Sequence, residues 1–257
     1  MSALEGLVFD FLPRADVVQL KPSLLQQVIA QVRFNSQGSL GTHSGVSAVH
    51  DALAARYPRL TTEQQLSVMA TAGSGVQTTT TPQYRLQDLK GTWAVVLGTE
   101  HATLETNAYT GWSEVRERME EVLGAVADVA TLRVRERVGL RYINHVPATE
   151  DGSLTGRVRD EVLGINGDRG WKSHLVGSVG QLIAVDNGTQ LALRHGLVAD
   201  GTHTQAPYLI DIDCSNSDPV EYAIEETLSY FDKLNDVAYR CFAWCVDEKF
   251  RTAITAD

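Results

Sequence analysis

The chain has 257 residues, with 32 acidic and 22 basic side chains and a formal net charge of −10. Hydrophobic residues at 43% and charged residues at 21% are the proportions of an ordinary folded domain, which argues against collagen, coiled-coil and disordered classes. No apolar run approaches the length of a membrane span, so no membrane partner is expected. Residues 200–257 hold 12 acidic against 4 basic side chains, and a balance of this sign repels phosphate backbones, which makes nucleic acid an unfavourable partner. Cys214, Cys241 and Cys245 are odd in number and read as buried thiols of a reducing compartment. Glu5 and Asp10 stand where a secretory signal would carry basic residues, so a cytoplasmic location is expected.

Lys21–Phe34 ends in alternating Val28, Ala30, Val32 and Phe34, the period-two pattern of a strand with Ile29, Gln31 and Arg33 on its other side. The turn GSLGTHSG (38–45) follows, then Val46, Val49, Leu53 and Tyr57 predict a helix over 46–57, stopped by Pro58. Residues 60–82 are small, polar and β-branched and fit either a loop or a twisted edge strand. Tyr84–Asp88, Thr92–Leu97 and Ala102–Tyr109 read as three strands of an antiparallel meander, the last two joined by a hairpin at GTEH.

Gly111 and Trp112 open a helix in which Trp112, Val115, Met119, Val122 and Val126 form one apolar stripe. The run TLRVRERVGLRYINHV then places Leu132, Val134, Val138, Leu140 and Tyr142 on one side of a strand, and Arg133, Arg135, Arg137 and Arg141 on the other. Residues 147–180 contain a short helix near Arg157–Leu163 and the glycine-rich loop GINGDRG, and this is the expected seam between two halves, 1–150 and 151–257. Asn187-Gly188 lies between alternating segments, a strong signal for a type I′ hairpin, and Tyr208–Cys214 supplies a further strand. Asp218 and Pro219 suit the start of a long helix whose stripe runs Val220, Ile224, Thr227, Phe231, Leu234, Ala238, Cys241, Cys245, widened by Leu228 and Phe242.

The stretches 92–127 and 181–245 share an order of hairpin or meander, strand, turn and amphipathic helix, which indicates a duplication. The expected fold class is α+β, with one or two antiparallel sheets covered by helices on one face and repeated strand-strand-helix halves that can share one continuous sheet.

Three stretches together, KPSLLQQVIAQVRF, NAYTGW with RVGLRYINHV, and FDKLNDVAYRCFAWCVDEKF, resemble a sporadically distributed family of bacterial and archaeal proteins of similar length. The core block is Arg137, Val138, Gly139, Leu140, Arg141, Tyr142, Ile143 and Asn144, and the resemblance extends over nearly the whole chain. No catalytic residues are established in the family to carry over. Patchy distribution implies mobile genes, such as toxin–antitoxin and antiviral defence components.

Guanidinium groups at even spacing on one strand face can grip phosphate or carboxylate in bidentate fashion. The same row can equally be neutralised by Asp211, Asp213 and Glu105 on neighbouring strands, and this structural pairing is the favoured reading. Asp211 with Asp213, and Cys241 with Cys245, have spacings compatible with a metal but lack companion ligands, so no metal and no cofactor is expected. Of the histidines at 43, 50, 101, 145, 174, 195 and 203, His145 and His195 are the best placed for acid–base work. Walker, G-x-G-x-x-G and G-x-S-x-G patterns are absent.

The expected function is a non-enzymatic component that binds another protein near Arg133, Arg135, Arg137, Arg141, Asn144 and His145. Homo-oligomerisation through the helix at 219–245 is a further expectation. The alternative is an enzyme or sensor that holds a phosphorylated ligand or nucleic acid on the Arg133–Arg141 strand face.

Overall fold

Alternation of apolar and polar side chains builds the centre of the molecule. In β1 (Leu25–Phe34), Val28, Ala30, Val32 and Phe34 are buried, while Gln27, Ile29, Gln31 and Arg33 point to the opposite, more accessible side. The computed structural model describes residues 8–14, 24–71, 75–172, 174–197 and 207–254, with side chains described outside 65–79, 169 and 172. Glu5, Lys21, Pro22 and His203 lie outside the described residues.

Helix α1 (His43–Leu53) begins three residues before the apolar stripe predicts. The Thr42 hydroxyl accepts the Gly45 N–H and satisfies one of the free donors of the first turn. The helix stops at Leu53, and Tyr57 is buried from the turn that follows. Residues 60–71 and 75–82 belong to two paired strands: β2 (Arg59–Thr71) and β3 (Gly75–Gln87) are in register from Arg59 opposite Gln87 to Thr71 opposite Gly75. Only Tyr84–Gln87 of β3 meets β4 (Trp93–Gly98), so most of the pair runs past the sheet as a two-stranded ribbon. Among the described residues most of this ribbon pairs with no third strand, so its sequence is not held to apolar alternation.

A hairpin at Gly98–His101 leads to β5 (His101–Thr106), and α2 (Trp112–Val129) follows, with Val115, Met119, Val122 and Val126 buried. Strand β6 (Val134–Val146) is succeeded by short helical turns, α3 (Asp160–Leu163), a 3-10 turn at Gly164–Gly167 and α4 (Arg169–Lys172), so the glycine-rich stretch is turned and not extended. Strands β7 (Ser178–Asp186) and β8 (Thr189–Leu197) are joined by Asn187 and Gly188 at φ 45° and 73°, the two positive values a type I′ turn requires. Strand β9 (Tyr208–Asn216) precedes β10 (Val220–Glu221), α5 (Ile224–Cys245) and α6 (Glu248–Ile254).

All pairings between the named strands are antiparallel and make one ten-stranded sheet, in the order β2-β3-β4-β5-β1-β6-β9-β8-β7, with β10 attached to β6. Helix α5 packs on β6 and β9, α2 packs on β5 and α5, and α1 packs on α2. These contacts lie on the side of Val32, Leu104, Leu140 and Ile212, so the fold is α+β with its long helices on one sheet face. The sheet runs continuously from the first half of the chain into the second.

A repeated order of elements runs through the sheet. A central strand is followed by a three-strand meander that returns to pair with it, and a helix then crosses the face. In the first unit these parts are β1, β3-β4-β5 and α2; in the second they are β6, β7-β8-β9 and α5. Strands β1 and β6 join the units by pairing from Val28 opposite Tyr142 to Arg33 opposite Arg137. The first unit also carries β2, which covers the outer edge of β3.

The long helix starts at Ile224 and not at Pro219, because Val220 and Glu221 pair with Arg135 and Val134 of β6 first. Asp218 meets Asn216, whose side chain also bonds the Gly188 carbonyl, so it supports the β7–β8 turn instead of capping a helix. The stripe Leu228, Phe231, Leu234, Ala238, Cys241 and Cys245 is buried within the chain's own core. That surface is therefore already occupied. No helix among the described residues is long and apolar enough to cross a membrane.

Candidate functional site

The second sheet face, opposite the helices, presents the arginines. Gly139 lets the Arg137 guanidinium fold down onto the strand, since a β-carbon at this position would stand 2.5 Å from Arg137 Nη1. From there Arg137 donates to Gln31 Oε1 at 3.2 Å and pairs with Asp213 at 3.5 Å, and Gln31 donates through Nε2 to Thr103 Oγ1 at 3.0 Å. A polar ladder thus crosses β5, β1, β6 and β9. Four residues along β6, Arg141 grips Asp211 with Nε and Nη2, both at 2.7 Å. The Asp211 bonds raise the Arg141 pKa, against the opposing effect of burial.

The four guanidinium groups do not share a face. Between Arg33–Arg137 and Phe34–Arg135 the pairing of β1 with β6 slips by one residue, and a bulge of this kind reverses side-chain parity. Arg135 is consequently 4% exposed and sits over the Tyr230 ring of α5 at 5.1 Å, on the helix side. Burial lowers its pKa, its Nε has no hydrogen-bond partner among the described residues, and the Glu226 and Asp218 carboxylates oppose the shift. Arg133 precedes β6 and is exposed; its carbonyl accepts the Tyr222 N–H. Glu105 serves a different arginine: Arg85 bonds Glu63 at 2.7 Å and Glu105 at 3.0 Å.

The remaining residues of the core block hold the fold together. Tyr142 faces the helices and donates its hydroxyl proton to Asn235 Oδ1 of α5 at 2.8 Å. Asn144 is buried and donates to the Ile210 carbonyl at 3.2 Å. His145 N–H bonds the Leu24 carbonyl, and partial burial lowers the imidazole pKa. His195 stands on the helix side with Nδ1 at 2.9 Å from the Tyr208 hydroxyl. That hydroxyl donates to the Val162 carbonyl, so His195 carries its proton on Nδ1. Its pKa is lowered by burial, which also raises that of Tyr208. Among the described residues, no three histidine, cysteine, aspartate or glutamate side chains converge as metal ligands. Cys214, Cys241 and Cys245 are free and buried.

The hairpin strand β7 is as expected, but its exposed outer edge is not anticipated by the sequence. Val179, Ile183 and Val185, all on the second sheet face, are 63%, 58% and 68% exposed, and Leu182 on the helix side is 42% exposed. Among the described residues β7 pairs only with β8, so its outer edge has no strand partner. In the two-residue hairpin, Asp186 and Thr189 close the turn, which directs the N–H and C=O groups of Ala184, Leu182 and Gly180 toward β8. Those of Val179, Gln181, Ile183 and Val185 then point outward. The signal was present in QLIAV, apolar on both parities, as in a strand buried on both faces or an edge prepared for contact.

No protein-family model matches the chain, and no curated protein is similar to it.

Proposed function

We propose that this protein is a non-catalytic recognition component that binds protein by strand addition at β7. The observation that carries the reading is a neutral, apolar strand edge, exposed at Val179, Ile183 and Val185 and unpaired by any described strand. Native sheets ordinarily blunt such edges with lysine, proline, bulges or a covering segment, because unpaired N–H and C=O groups template another strand. Strand addition uses those groups for affinity and alternate side chains for specificity.

The arginine face is a weaker location. Arg137 and Arg141 are matched to Gln31, Asp213 and Asp211, and Arg135 lies under α5, which leaves Arg133 as the exposed member of the row. A partner protein would therefore meet the β7 end of the sheet.

The test is recovery of the tagged full chain from its native host in three forms: wild type, Ile183→Lys and Arg133→Ala. The expected result is a stoichiometric protein species, which includes an untagged copy of this chain, retained with wild type and Arg133→Ala and lost with Ile183→Lys. Equal recovery by wild type and Ile183→Lys overturns the edge reading, and turnover of a small molecule by the isolated protein overturns the non-catalytic one.

A further inference from the structure

Resting on the strand-addition reading, we infer that the occupant of the β7 edge is a second copy of β7, paired antiparallel about a two-fold axis at Leu182. The repeated order of elements supplies the first argument. In the first unit the outer meander strand β3 is covered by the antiparallel strand β2, whereas among the described residues its counterpart β7 has no such cover. The second unit therefore lacks the element that completes the first, and an antiparallel strand is what fits.

Self-complementarity supplies the second argument. An isologous antiparallel pair must place outward-directed residues opposite one another and keep side chains on matching faces. Centred on Leu182, β7 sets Val179 opposite Val185 and Gln181 opposite Ile183. All four outward residues are used, for about eight inter-strand hydrogen bonds. Axes at Gln181 or Ile183 each leave one outward residue unpaired. The Leu182 register also matches valine with valine on the exposed face, and it places Asp186, whose carboxylate accepts the Phe9 N–H, opposite Ser178, so no like charges meet.

The ends of the strand extend the contact. Phe11 is exposed and stacks edge-on with Phe9, which is tied to Asp186, while Val176 is exposed just before β7 begins. In the Leu182 register the start of one strand lies beside the end of the other, which brings these two apolar groups to the same margin. The product is one continuous sheet across two chains.

Cysteine scanning reads the register directly. Cys214, Cys241 and Cys245 are buried, so an introduced surface thiol is the reactive one. On the two-fold axis Leu182 faces its own copy in a non-hydrogen-bonded pair, where the α-carbons stand ~4.5 Å apart, within disulfide range. The full chain is purified as Leu182→Cys, Gln181→Cys and Ile183→Cys, oxidised under mild conditions, and scored for covalent dimer. In parallel, wild type and Ile183→Lys are compared by sedimentation velocity over a concentration series.

The expected result is a wild-type dimer, covalent capture strongest for Leu182→Cys, and a dissociation constant raised at least ~10-fold in Ile183→Lys. Capture strongest at residue 181 or 183 overturns the register. A wild-type chain that stays monomeric throughout the series overturns the second copy as occupant, and leaves strand addition by another protein to stand or fall on the copurification result.

Discussion

Arg141 and Asp211 form a two-point pair across β6 and β9, with both guanidinium–carboxylate bonds at 2.7 Å and the aspartate only 4% exposed. A carboxylate so placed depends on its partner, because removing one member strands the other in a poorly solvated position. Arg141→Ala is expected to destabilise the fold by about 2 kcal/mol, and Asp211→Ala by a similar amount. The double variant should cost clearly less than the two together, with a coupling of about 1–3 kcal/mol. Urea denaturation of the four proteins checks this, and strict additivity would show that the pair contributes nothing specific.

Arg135 is expected to behave in the opposite way. Its Nε is buried without a partner among the described residues, and the cation is stabilised by the Tyr230 ring and by nearby carboxylates, against a desolvation cost that lowers its pKa. A cation–π contact contributes about 0.5–2 kcal/mol, comparable with what burial takes away. Arg135→Met should therefore shift unfolding stability by less than about 1 kcal/mol, because the methionine side chain fills the same apolar slot. A loss as large as that of Arg141→Ala would show that the charge at 135 is required.

These two arginines show how much of the molecule is legible in the sequence. Period-two patterning located β1, β4, β5 and β9, the Asn187-Gly188 turn was readable from its residue types, and the helix stripe from Trp112 to Val126 was found nearly to its ends. The pairing of Asp211 and Asp213 with the arginine strand was also foreseeable from parity alone. Parity failed at Arg135 because a bulge reverses it, and a bulge between β1 and β6 is a property of two strands in register, which one strand's sequence does not contain. The start of α5 differs from the expectation for the same reason: Val220 and Glu221 have sheet partners far earlier in the chain, at Arg135 and Val134. The β7 edge escaped notice because an apolar strand looks alike in sequence whether its neighbours cover it or not.

The histidines make stability depend on pH with a definite sign. Burial lowers the pKa of His101, with Arg33 adding to the shift, and burial alone lowers those of His145 and His195. Each group is thus a weaker base in the folded chain than in the unfolded one, whose histidines titrate near about 6.5. Above that value both states are neutral and the folded chain keeps its full stability. As the pH falls through about 6.5 the unfolded chain takes up protons first, so stability declines until the folded pKa values are passed. The melting temperature should fall on acidification from pH 7.5 toward 5, with the decline reduced in His101→Gln and His195→Gln. For His195 the physical reason is specific: its Nδ1–H is committed to Tyr208, so an added proton must sit on Nε2 beside Gly180, on the helix side of the sheet. A melting temperature that is flat over this range, or a decline that the two substitutions leave unchanged, would show that these imidazoles are as easily protonated folded as unfolded.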